Sequence, residues 1–303
     1  MLELLLHCRP GFEGEAATEI QTLAAERGIN GYVVTRDGAA VVRFVCPAAG
    51  DAERLMGAID FRELIFARQW ALGSWLDVST EDRISPIITA CASGPIASRL
   101  WLETADTNDG KALAALIRKL ERPLESALLK TRFVRPKQVD APRLHVFLES
   151  GQRIFVGWSW PDNAAAWPMG IPRLKFPREA PSRSTLKLEE AWHHFIPREE
   201  WDSRLAPGMT AVDLGAAPGG WTWVLARHHI HVTAIDNGPM QQALLDSGLV
   251  THRREDGFRW TPERTLDWMV CDMVEQPRRV AVRMGEWFGN EWCRHAVFNL
   301  KLP

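Results

Sequence analysis

Three aspartates in the last third of the 303-residue sequence stand where apolar runs stop, Asp213 in TAVDLG, Asp236 in HVTAID and Asp272 in LDWMVCD, and a fourth, Asp256, stands in REDG between them. The turn after the first run reads Asp213-Leu-Gly215-Ala-Ala217-Pro218-Gly219-Gly220. Glycines let backbone pass close to a ligand where a Cβ would collide. A dinucleotide-binding loop is the obvious rival. However, the G-x-G-x-x-G spacing is absent, and the Asp and Pro that bracket the loop disfavour a pyrophosphate. Asp236, ending the second run, is placed to accept both hydrogen bonds of a ribose diol, and Asp256 could take an adenine amino group. The ordered set suits an adenosine-bearing cofactor without a pyrophosphate, S-adenosylmethionine. The alternative is that each acid caps the helix that follows it.

Two lysines bear on what such a cofactor would alkylate. Lys301 ends the apolar run HAVFNL, so its ammonium should project over the same strand ends as Asp272, and Lys187 lies on a helix ahead of the sheet. A ribose 2′-hydroxyl is a poor nucleophile, whereas a sulfonium leaving group needs no help. Catalysis there means aligning the attack and removing a proton. A lysine serves as the base when burial or a second ammonium depresses its pKa, and a Lys187–Asp272–Lys301 cluster supplies that arrangement. An ordinary solvated lysine at a strand end is the alternative, and the residues alone leave it open.

Such side chains need strands that alternate with helices. From residue 182 onward SRSTLKLEEAWHHF carries the i, i+3, i+4, i+7 stripe of a helix at Leu188, Ala191, Trp192 and Phe195, stopped by Pro197. The runs TAVDLG, HVTAID, TLDWMVCD and HAVFNLK read as strands, and WTWVLARHH, PMQQALLDSG and RRVAVRMGEWF as helices between them. That alternation predicts a parallel sheet covered on both faces, with ligands at the carboxyl ends of its strands. Residues 1–60 predict a strand (LELLLHC), a helix from Glu13 to about Arg27, and a hairpin of GYVVTR and AAVVRFVC joined at Asp37-Gly38. Residues 61–150 continue an α+β rhythm, with strands in FARQWAL, SRLWLETAD and RLHVFLES and helices in DRISPIITACAS and DGKALAALIRKLERPLESALL. Five prolines, Pro161, Pro168, Pro172, Pro177 and Pro181, make 151–181 read as an extended linker and not an element.

Composition bounds the rest. At 46% hydrophobic and 24% charged, the chain is expected to be a soluble protein of two or three domains, with no apolar run long enough to span a bilayer. Cys8, Cys46, Cys91, Cys271 and Cys293 are scattered and odd in number, which fits reduced thiols in the cytoplasm and argues against a disulfide framework or a zinc site. A net charge of −2 hides an uneven distribution. Residues 111–143 hold nine Lys or Arg against three acids, among them Arg132, Arg135 and Lys137, and a second run holds Arg173, Lys175 and Arg183. One such run is usually a solvated face. Two flanking a cofactor domain point to nucleic acid, and these six residues are the RNA-binding candidates.

The segments DLGAAPGGWT, IDNGPM, REDGF, WMVCDMVE, FNLKLP, MGIPRLKFP and APSRSTLKLEEA closely resemble the bacterial large-subunit ribosomal RNA ribose 2′-O-methyltransferase M family, RlmM. CRPGFE, FARQW and ADTND extend the resemblance over essentially the whole chain. It implies an α/β protein in which a ferredoxin-like unit (expected at 1–60) and a THUMP RNA-binding unit (61–150) precede a linker (151–181) and a Rossmann-like class I methyltransferase domain (182–303). It implies transfer of a methyl group to the ribose of a cytidine in the peptidyl-transferase region of 23S ribosomal RNA, naked or in early assembly intermediates. Carried over by residue, cofactor contacts fall on Ser184, Ala217, Pro218, Gly219, Gly220, Asp236, Asp256 and Asp272, beside the Asp213 and Gly215 of the same turn. Lys301 matches the family's general base, and Lys187 and Asp272 match two further members of its Lys-Asp-Lys-Glu tetrad. The tetrad glutamate and two more strands are expected beyond Pro303, so the last domain should be short of its final strands. A monomer without metal or membrane attachment is expected. The rival function is a non-catalytic assembly factor that binds RNA and S-adenosylmethionine.

Overall fold

The apolar run that opens the chain forms β1 (Glu3–Cys8), whose pleat sends Leu4 and Leu6 to one core and Leu5 to another. The computed structural model describes residues 2–301; Leu302 and Pro303, the end of FNLKLP, lie outside the described residues. Within the first of two units, Met1–Ile171, β1 is followed by α1 (Glu13–Glu26), β2 (Tyr32–Thr35), β3 (Val41–Val45), α2 (Asp51–Ala58) and β4 (Ala67–Asp77). These four strands run β4-β1-β3-β2, each antiparallel to its neighbour, the ferredoxin-like arrangement. Helices α1 and α2 cover one face through Ile20, Ala24, Leu55 and Met56.

Strand β4 is eleven residues long and serves two neighbours in turn. Ala67 to Gly73 pair with β1, and Leu72 to Asp77 pair with β7 (Arg153–Ser159). Between β4 and β7 come α3 (Ile84–Cys91), β5 (Arg99–Thr104), α4 (Asn108–Ala112), α5 (Ala114–Lys130) and β6 (Arg143–Leu148). The result is one seven-stranded sheet, β2-β3-β1-β4-β7-β6-β5, in which only β5 and β6 are parallel. Leu120, Leu124 and Leu128 of α5 bury their stripe against Val146, Ile154 and Val156.

The extended reading of 151–181 fails at its start. RIFVGWS is an interior strand, paired with β6 on one side and β4 on the other. All five prolines of that window follow it, so the proline count speaks only for the part after Ser159. Even that part is held down before Ile171. Gln69 Nε2 donates to the carbonyls of Ala165 (3.0 Å) and Trp167 (3.1 Å), and the Met169 N–H donates to Glu103 Oε1 at 2.6 Å. Glu103 Oε2 lies 2.7 Å from His145 Nδ1, and His145 Nε2 lies 2.7 Å from Ser159 Oγ. A buried carboxylate is tolerable because it is fully partnered.

The second unit, Pro172–Pro303, begins its regular structure with α6 (Thr185–Phe195) and α7 (Trp201–Arg204). It continues with β8 (Thr210–Leu214), α8 (Gly220–Arg227), β9 (His231–Ile235), α9 (Gln242–Asp246), β10 (Val250–Arg253), β11 (Leu266–Cys271), α10 (Pro277–Gly289) and β12 (Cys293–Phe298). All five strands are parallel, in the order β10-β9-β8-β11-β12. The chain steps outward from β8 to β10 and then restarts on the other side with β11. The cleft between β8 and β11 is therefore the switch point where such sheets bind ligands. One face packs under α6 and α8 through Leu188, Trp192, Val224 and Leu225, the other under α10 through Val280, Met284 and Trp287. Two elements differ from the sequence reading. PMQQALLDSG yields only the five-residue α9, and β10 has no counterpart in that reading, because VTHR is polar and short. All five cysteines are unpaired and buried, and among the described residues no helix is long and apolar enough to cross a membrane.

Candidate active site

A cleft of about 620 Å3 opens at the carboxyl ends of β8, β9 and β11, and every acid of the sequence pattern lines it: Asp213, Asp236, Asp256 and Asp272. Gly215, Ala217 and Pro218 form its rim with Ser184, Lys187 and Lys301, whereas Gly219 and Gly220 stand behind it at the start of α8. Gly215 has φ +78°, and a Cβ there would fall 2.6 Å from Met273 Cγ. At Gly220 a Cβ would fall 2.3 Å from Ser184 Oγ and 2.5 Å from Ser182 Oγ. These two glycines let the first loop pass between the segment after β11 and the segment before α6.

The acids meet different surroundings. Asp213 is 1% exposed, and its Oδ2 accepts from Thr222 Oγ1 at 2.7 Å. Burial pushes its carboxyl up to about 7; the Thr222 hydrogen bonds hold it down, and the charges of Asp272 and Asp236 add to the rise. Asp236 accepts one backbone N–H on each oxygen, from Ala217 at 3.0 Å and Gly238 at 2.7 Å. A carboxylate oxygen has two lone-pair directions, so one on each remains for a diol. Asp256 is exposed, and its Oδ1 accepts the Phe258 N–H at 2.8 Å. No helix follows Asp256 before β11, so it closes a turn and caps no helix, and its other oxygen faces Arg259 Nε at 3.7 Å.

Lys187, carried by the first turn of α6, reaches across 85 residues of sequence to Asp272, with Nζ 2.9 Å from Oδ2 and 3.1 Å from Oδ1. Lys301 Nζ donates to the Asp272 carbonyl oxygen at 2.9 Å and stands 3.4 Å from Oδ1. Asn299 Nδ2 completes the group, 2.8 Å from Oδ1. Burial alone would raise the Asp272 carboxyl; Asn299, Lys187 and Lys301 outweigh it and hold the group below the usual carboxylate range. Two lysine side chains thus flank a carboxylate at the edge of the cleft.

Three family models match the chain: RlmM ferredoxin-like domain over residues 1–71, ribosomal RNA large subunit methyltransferase M, N-terminal, over 82–160, and FtsJ-like methyltransferase over 180–282. The ribosomal RNA large subunit methyltransferase M of Ectopseudomonas mendocina is 56% identical over 306 residues, covering 100% of this chain and 86% of that protein. The chain belongs to the ribosomal RNA large subunit methyltransferase M family. Relatives of the same name from Stutzerimonas stutzeri and Azotobacter vinelandii are 57% and 56% identical, each again over 100% of this chain and 86% of their own length.

In this family member the basic candidates fall in both units. Arg132, at φ +61° just past α5, lies with Arg135 and Lys137 on the exposed segment that leads to β6. Arg173, Lys175 and Arg183 are exposed along the segment that leads to α6. None of the six lines the cleft. Several lining or supporting residues have no individual signal in the sequence. Trp221 lines the cleft and donates through Nε1 to the Ser184 carbonyl at 2.9 Å, and Phe258 lends it an apolar wall. Asn299 lies within the FNLK segment with nothing in the pattern to distinguish it. A polar residue two positions before a strand-end lysine is a usable cue only once the partner strand is known.

Proposed function

We propose that this chain transfers the methyl group of S-adenosylmethionine to the ribose 2′-hydroxyl of a cytidine in 23S ribosomal RNA, before large-subunit assembly is complete. The single observation that carries the chemistry is the Lys187–Asp272–Lys301 group at the edge of the cleft. The cytidine and the timing rest on family membership. The cleft fits the cofactor. Asp236 keeps an acceptor direction on each oxygen for the ribose diol, Asp256 and Phe258 flank the place of an adenine, and the Gly215 turn admits no Cβ. When bound, S-adenosylmethionine supplies a methyl group on a sulfonium that departs as a neutral thioether.

The chain's own residues supply the rest. Lys187 and Lys301 bracket the position of the ribose hydroxyl. Lys301 Nζ, deprotonated, takes the hydroxyl proton, while Asp272 holds both side chains in place and balances the positive charge that results. Alignment also counts for much, since oriented reactants gain many orders of magnitude in effective concentration. The test is labelled S-adenosylmethionine with naked large-subunit RNA, followed by digestion to nucleosides. Label in 2′-O-methylcytidine is expected. Lys301→Ala should lower turnover by ~10²–10⁴-fold with cofactor affinity nearly unchanged. Label confined to a base would overturn the ribose reading in favour of base methylation, and no label at all from the unsubstituted chain would favour a non-catalytic assembly factor.

A further inference from the structure

Asp272 receives a third donor that the reaction just described does not use. Asn299 lies just past β12, where its backbone N–H donates to the Cys271 carbonyl at 3.0 Å, continuing the register that pairs Cys271 with Phe298. Its side-chain Nδ2 donates to Asp272 Oδ1 at 2.8 Å. The amide is thus fixed at both ends, by the sheet and by the carboxylate. Lys187 bridges both Asp272 oxygens at 2.9 and 3.1 Å. An oxygen with two lone-pair directions is then full at Oδ1. Lys301 Nζ, at 3.4 Å from that oxygen, donates to the Asp272 backbone carbonyl instead.

We infer that Asn299 is a positioning residue for the proposed methyl transfer: its amide occupies Asp272 Oδ1 and so keeps Lys301 on the backbone carbonyl rather than in a full ion pair with the carboxylate. The inference rests on the ribose-methylation reading. An ammonium is held more strongly by a carboxylate than by a neutral carbonyl oxygen, because only the first pairs two full charges. A Lys301 locked onto the carboxylate would be tied to a charged partner and less free to take a proton from the substrate. A carbonyl acceptor orients the same amine more weakly. The amide can do this where a third basic residue could not, because it satisfies the oxygen without adding charge.

Two substitutions separate this role from simple packing. Asn299→Ala deletes the donor, and Asn299→Asp keeps the shape but sets a second carboxylate against Oδ1. Methylation of 23S RNA should show kcat falling about tenfold for Ala, the scale of one hydrogen bond, and further for Asp. KM for RNA and the cofactor Kd should stay near those of the unsubstituted chain. A packing role gives the opposite order, since Asp is the closer isostere; Asp better than Ala would overturn the inference. A crystal structure of Asn299→Ala reads the same point without activity. Lys301 Nζ should move to hydrogen-bond distance from Oδ1, and a Lys301 still on the carbonyl would sink the idea. If the unsubstituted chain methylates no RNA, the proposed function fails, and the crystal structure still decides the role of Asn299.

Discussion

Asp213 and Asp236 lie at neighbouring strand ends and carry the same side chain, yet their surroundings make them different reagents. Asp213 is enclosed and has one hydroxyl partner, so burial dominates and its carboxyl rises to about 7 from the usual 3.8. A raised acid binds its proton in the folded chain first. The stability that the neutral form contributes is complete below about pH 4 and is lost as pH rises through 7. Asp213→Asn, which keeps an acceptor for Thr222, should therefore gain stability over the parent across that window by up to ~1.4 kcal/mol per pH unit. Thermal unfolding of both proteins at intervals of pH reads it, and a difference that does not change between pH 4 and 7 would count against a raised carboxyl. Asp236 is the anchored one. Asp236→Ala removes the candidate diol acceptor and also frees the Ala217 and Gly238 N–H groups. S-adenosylmethionine affinity should fall by ~1.5–3 kcal/mol for each charge-assisted bond removed. Calorimetry checks it, with NAD as a ligand that should bind neither protein. Unchanged affinity in a folded variant would take Asp236 out of the site.

At the scale of elements, β4 decides the architecture of the first unit, because the ferredoxin-like strands and the strands of β5–β7 share it. Gly73 sits where the two pairings overlap. A Cβ there would meet the Val156 carbonyl oxygen at 2.1 Å and Gly157 Cα at 2.4 Å, both backbone atoms that no rotamer change can move. Gly73→Ala should destabilise the first unit by at least the ~1–3 kcal/mol of an overpacked core. Gly57 in α2 is the contrast. It lies inside a helix with nothing within 4 Å of a new Cβ, so Gly57→Ala should stabilise by ~0.5–1 kcal/mol. Urea unfolding of the two variants should move in opposite directions, and equal shifts would show that the sheet yields more readily than these close approaches imply.

At the scale of the whole molecule, a net charge of −2 argues for no polyanion, and the local runs do. We propose that Arg132, Arg135 and Lys137 in the first unit, and Arg173, Lys175 and Arg183 in the second, touch the RNA backbone, with the first unit supplying much of the capture. Reversing Arg132, Arg135 and Lys137 to Glu together should weaken RNA binding. It should also flatten the salt dependence by roughly 0.7 for each phosphate that is no longer neutralised on a single strand. Cofactor binding should be untouched, because none of the three lines the cleft. Sequence-specific RNA readers favour unpaired, splayed nucleotides. Naked large-subunit RNA should therefore be methylated far better than mature subunits. Equal rates on both, or undiminished affinity in the reversed protein, would sink this account of recognition.

What the sequence determined by itself is what short-range pattern can encode. Apolar strand runs carry an acid at or beside their carboxyl end, at Asp213, Asp236 and Asp272. The stripe at Leu188, Ala191, Trp192 and Phe195 announces α6, and the turn after β8 announces a ligand. Each of those signals lies within about a dozen residues. Tertiary structure decided the rest. RIFVGWS is an interior strand only because β4 and β6 pair on both its sides, and a proline count over the window that follows cannot see that. Which lysine touches the Asp272 carboxylate and which its carbonyl is set by residues 85 and 29 positions away, and Asn299 acts from 27 positions away. The upward shift of the Asp213 carboxyl exists only once packing strips its water. Periodicity reports which way most side chains face along their own element, although Phe195, the last of the α6 stripe, is exposed. Hydrogen-bond partners and desolvation belong to pairs of elements, and those are fixed only when the sheet closes around them.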